Sequence, residues 1–148
     1  MKLEQLMVDT KSAWVEYPGC TGFEVQVNNL SRKELLNLRK RCTVNKFDRK
    51  TRIMNEEMDD DKFITEFTTA TIKGWKGFKL KYLEDLVLVD LKTEDPESLL
   101  AYTEEDAETL VTNSTEFDNW LNEVVFDLAN FRSGAKKRAV GKAGEVAA

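Results

Sequence analysis

Histidine is absent from this chain. That removes Ser-His-Asp and Cys-His catalytic arrangements and takes away the usual nitrogen ligand of zinc. Cysteine is scarce. Cys20 and Cys42 are the only two, and their spacing closes no structural metal site. Proline occurs twice, at Pro18 and Pro96. Neither a GxxxxGK[ST] loop nor a GxGxxG turn is present to cradle a phosphate. No apolar run approaches the ~20 residues that span a bilayer. The opening "MKLEQLMVDTKSAW" has early acids and no apolar stretch, so it does not read as an export signal. The two cysteines are then expected as reduced thiols. "EEMDDDK" is acidic enough to suggest calcium, but it lacks the glycine and the spaced bidentate glutamate of a calcium loop. Neither metal nor cofactor is expected.

What is present is charge. A third of the 148 residues are charged, above the roughly 25% usual for soluble domains. Residues 32–52 hold nine Arg/Lys against Glu34 and Asp48, and "NEEMDDD" follows after Ile53 and Met54. The last sixteen residues carry four bases and one acid. Without them the body has 18 bases and 26 acids, a net −8. A body of that sign repels phosphate, so 32–52 reads first as a solvated face and second as a nucleic-acid patch.

The pattern along the chain implies an α+β fold: an N-terminal β-hairpin packed with a mainly α-helical body, and a flexible C-terminal tail. Phe23, Val25 and Val27 alternate with polar residues, the period of a half-buried strand. "SAWVEY" precedes them across a turn with Pro18, Gly19 and Gly22, giving a hairpin over about 12–29. Ser31 and Glu34 have capping-box spacing. The helix they start, about 32–42, is the expected cover for the hairpin. Residues 43–58 show no clean period and read as an extended or looped excursion. The aspartates of "DDDKF" favour a helix start. Phe63, Phe67 and Ala70 make one helical face, and Gly74 suits a left-handed stop after it. In 78–92 the two periods conflict, so only an ordered, buried segment is expected. Thr103 and Asp106 predict a helix over about 104–112. Ser114 opens a further helix, about 115–132, striped by Phe117, Trp120, Leu121, Val124, Leu128 and Phe131. Residues 1–132 read as a single globular domain and 133–148 as a flexible basic tail.

The order of these blocks resembles the tail assembly chaperones of long-tailed, siphovirus-like bacteriophages. The resemblance is carried by "WVEYPGCTGFEVQV", "LSRKELLNLRKRCT", "IKGWKGFKLKYL" and "AYTEEDAETLVTNSTEFDNWLNEVVFDLANFR", followed by a loose basic tail. It implies a non-catalytic protein of the host cytoplasm, absent from the finished virion. Such a protein binds and solubilises the tape-measure protein and helps recruit tail-tube subunits. The resemblance leaves room for self-association and for a longer, frameshift-extended form; it implies no nucleic acid and no membrane. Two other readings of the chain are a structural or tail-completion protein retained in the virion, and a nucleic-acid-binding regulator using 32–52.

The candidate site is "IKGWKGF", residues 72–78. Gly74, Trp75, Gly77 and Phe78 have two readings. In the first, Trp75 is a core or rim aromatic closing a helix end, with the glycines serving tight turns. In the second, Trp75 and Phe78, with whatever part of Phe63, Phe67 and Leu83 is exposed, belong to a partner-binding patch, since aromatics bring large contact area at low entropy cost.

Overall fold

The computed structural model describes residues 1–8 and 11–132 and has an α+β fold in which helix outweighs strand. The expected basic tail, 133–148, lies outside the described residues. The hairpin forms as β1 (Ser12–Glu16) and β2 (Glu24–Asn28), antiparallel, with Val15 opposite Val25. Gly19 and Gly22 take positive φ in the turn between them. Helix α1 (Arg32–Arg41) starts on the expected box: Ser31 Oγ accepts from the Glu34 N–H, and Glu34 Oε1 accepts from the Ser31 N–H. Next come β3 (Thr43–Asp48) and β4 (Ile53–Met58), which pair only with each other. Helix α2 (Asp60–Thr71) begins at Asp59, whose carboxylate accepts from the Lys62 N–H.

Three expectations are corrected here. Gly74 does not stop a helix. Helix α2 ends at Thr71 and runs straight into a strand, β5 (Ile72–Lys76), which adds to β2 as the third strand of the sheet in the order β1-β2-β5. The run Thr68, Thr69, Thr71 and Ile72 is largely β-branched, a composition that favours extended chain. Gly74 lies opposite Gln26 beside a register shift in β2–β5, where a strand glycine is at home. Second, the helices on β2 are α2 and α5 (Thr115–Phe126), while α1 packs on α2. Third, α5 does not reach 132. Asp127 leaves the helix in extended conformation, and its carboxylate accepts from Ala129 N–H to start a 3₁₀ turn, Leu128–Phe131. That turn swings Leu128 out to solvent while Phe131 stays buried.

Segment 78–92 is divided. Helix α3 (Leu80–Leu86) buries Tyr82 and Leu86, but Leu88 and Val89 beyond it are exposed rather than buried. Helix α4 (Glu104–Asn113) starts at Thr103, whose hydroxyl accepts from the Asp106 N–H, and Ser114 caps α5 through the Phe117 N–H. The core lies between the sheet and the helices. Val15, Val25, Val27 and Trp75 come from the sheet, Phe67 from α2, Leu110 from α4, and Phe117 and Leu121 from α5. On the outer face of the sheet, Trp14 stands partly exposed with Lys76 Nζ 4.5 Å from its ring centre.

Candidate functional site

The 72–78 stretch is a rigid corner, and each of its residues has a distinct duty. Gly77 has φ +70°, and a Cβ there would lie 2.0 Å from the Gly22 carbonyl oxygen. Only glycine allows that close approach of two chain segments. Gly74 is different: its φ is not left-handed, and a Cβ would meet only the Gln26 side chain at 3.6 Å and the Trp14 ring at 3.9 Å. Trp75 sits opposite Val25 on the buried face of the sheet. Its indole N–H donates to the Leu100 carbonyl at 2.9 Å. Its ring meets Phe78 and Tyr102 edge-on, at 5.2 and 5.1 Å. Phe78 stacks on Phe23 at 4.0 Å. The polar end of the tryptophan is therefore satisfied, and its ring is held from two sides.

Trp75 is 7% exposed and Phe78 1%. Neither side chain stands out from the surface. They line a cleft of 520 Å³ together with Leu83, Val87, Leu100, Thr109 and Leu110; with both nearly enclosed, they form its floor and the others its walls. That volume falls within the ~300–1,000 Å³ of ligand pockets. The walls are held together by backbone bonds. Leu100 N–H donates to Phe78 O, and Leu80 N–H donates to Ser98 O, so the chain before α4 runs beside the start of α3. Lys79 and Lys81 both ion-pair with Glu97 and fasten the same seam. The apolar lining continues outward through Leu88, which is fully exposed, and Val89.

The surroundings of the cleft are acidic. From Glu84 to Glu108 the chain has ten Asp/Glu and one base, Lys92. Asp106 is in the lining itself. Among the described residues Glu97 alone of those ten is ion-paired. The sequence points to the floor of this cleft and to Leu83 in its wall, but not to the rest of the wall, and Phe63 and Phe67 lie outside it. Leu88 and Val89 in an otherwise acidic run were the available signal.

The remaining candidate features are dispersed. Burial pushes the Cys20 and Cys42 thiols up, so both stay protonated and unreactive at neutral pH. Burial, with Glu116 nearby, pushes Tyr17 up to about 12. The bases of 32–52 are split between α1 and the β3–β4 hairpin, where Lys46 pairs with Glu57 and Arg41 with Glu66. Among the described residues no group of three His, Cys, Asp or Glu side chains is placed to hold a metal ion, and no helix is long and apolar enough to cross a membrane. No family model matches the chain, and the comparisons with curated proteins and with solved structures give no match either.

Proposed function

We propose that this protein is a non-catalytic tail assembly chaperone of a long-tailed bacteriophage. It binds and solubilises the tape-measure protein in the host cytoplasm, helps recruit tail-tube subunits, and leaves before the virion is complete. The observation that carries the reading is the apolar cleft over Trp75 and Phe78, set in a strongly acidic surface. A long helical client with continuous apolar stripes associates with itself, because exposed apolar patches beyond a few hundred Å² promote association. A chaperone for it needs apolar area to cover the stripe and net charge to keep the complex in solution. This chain offers both. The order of the sequence blocks supplies the resemblance to the family, and the chain's lack of histidine takes the commonest general base away from an enzymatic reading.

The test is co-expression with the tape-measure protein of the same genome. The soluble fraction of that protein should rise, and a complex should survive gel filtration. No change in solubility and no complex would defeat the proposal. Co-purification of this chain with mature virions would instead favour a subunit retained in the particle.

A further inference from the structure

We infer that the cleft over Trp75 and Phe78 takes one kind of occupant: an amphipathic helix of a partner protein whose apolar stripe is flanked by Lys and Arg. The identity of the partner as a tape-measure protein rests on the function proposed above; the chemistry of the occupant does not.

Three observations lead there. First, the cleft is built from side chains of α3, α4, the 87–89 segment and Leu100, with Trp75 of β5 among them. The carbonyls of Phe78 and Leu100 at its edge are already engaged. The lining is mainly side-chain surface, contributed by α3, α4 and the chain between them. It suits a guest that brings only side chains and satisfies its own backbone, which is a helix. Second, the apolar surface does not end at the cavity mouth. Leu88 is fully exposed, and Val89, exposed beside it, lines the cleft too. A small molecule filling 520 Å³ would leave that rim in water, whereas successive apolar residues of a helix, three and four apart, extend along it. Third, the one charged residue of the lining is acidic. Asp106 enters the lining, Glu104 and Glu105 precede it on α4, and Asp90 follows Val89. None of these four has an ion pair among the described residues. Unpaired carboxylates in the lining and next to it in the chain attract a guest with cationic flanks and repel one with acidic flanks.

The full-length protein can be titrated with two synthetic helical peptides of about 18 residues, roughly five turns. They share one leucine stripe; one is flanked by Lys and the other by Glu. Binding is read by NMR amide shifts. The Lys peptide should move amides in 83–89 and 99–110. It should bind about tenfold or more tightly than the Glu peptide and weaken as salt rises from about 50 to 500 mM, because added ions screen the rim. Leu88→Asp should lower its affinity at least about tenfold while leaving the melting temperature unchanged, since Leu88 touches nothing that the fold needs. Equal binding of both peptides, shifts confined to other surfaces, or full affinity in Leu88→Asp would overturn the assignment. The two proposals fail separately. If Leu88→Asp still solubilises the tape-measure protein, the cleft is wrong and the chaperone stands. If the wild-type chain has no effect on that protein but binds the Lys peptide as described, the reverse holds.

Discussion

The molecule has two antiparallel β units of similar strand length that meet opposite fates. The β1-β2-β5 sheet buries one face completely under helices: Phe23 precedes β2, Val25 and Val27 lie within it, and all three are fully enclosed. The β3–β4 hairpin stands off that body. Its side chains are exposed or nearly so, including Phe47 opposite Met54 on one face and Ile53 on the other. A two-stranded hairpin by itself is marginal in water. What holds this one is local: Lys46 paired with Glu57, and a turn whose Asp48 carboxylate accepts from the Lys50 and Thr51 N–H groups. At its root, Asp59 N–H donates to Cys42 O. The contrast teaches that strand pairing does not itself make a core. One sheet is a structural wall whose inner side supports the cleft floor; the other is a ribbon whose side chains add little to the core.

Breaking the wall should be costly. Phe23→Ala removes a ring stacked on Phe78 and leaves a cavity among fully buried neighbours. Truncations of this kind cost roughly 3–5 kcal/mol, a large part of the ~5–15 kcal/mol that holds a domain together. Urea unfolding should show the midpoint falling sharply, or no folded protein at all. A loss below about 1 kcal/mol would mean that the core is arranged differently.

Gly77→Ala is the next largest. Its Cβ would collide with a backbone oxygen, which cannot swing aside as a side chain can, at a φ that L-residues avoid. A loss of at least ~2 kcal/mol is expected. Gly74→Ala, by contrast, meets ordinary contacts and should cost less than ~1 kcal/mol. Equal effects of the two in thermal melts would contradict their separate roles.

In the hairpin, Phe47→Ala should change stability by no more than about 0.5 kcal/mol, the range of exposed substitutions. A loss comparable to that of Phe23→Ala would show that the ribbon is part of the core after all. The smallest effect is one of pH. Backbone N–H donors hold the Asp48 carboxyl below its usual range. The turn therefore gains from the carboxylate above the ordinary Asp pKa of ~3.9 and loses that support as pH falls through the lowered value. The Lys50 amide shift should titrate there, with no matching change at Val25.

Legibility in the sequence followed the same division. The hairpin of β1 and β2 was readable because one buried face imposes period-two alternation on Phe23, Val25 and Val27. Helix starts were readable at Ser31, Thr103 and Ser114 because a cap is a local event between residues three apart. Strand β5 was not. It pairs with β2 across some fifty residues, and the glycine and bulge inside it imitate a helix stop. The 43–58 hairpin gave no period because no face of it is buried, so nothing constrains which positions are apolar. In the last helix the stripe continued through Leu128 on paper, but Asp127 caps a new turn and the real helix ends first. For the cleft, the floor announced itself as an aromatic between two glycines. Its walls depend on Leu83 of α3 and Leu110 of α4 reaching the same cleft from elements far apart in the chain, a tertiary fact that local patterns do not carry.

The measurement that bears most directly on the account is amide hydrogen exchange of the full-length protein, alone and in complex with the tape-measure protein. Binding should slow exchange in 83–89 and 99–110, leave 43–58 unchanged, and find the β1-β2-β5 sheet slow in both states. Protection that appears in the 43–58 hairpin and spares the cleft would contradict it.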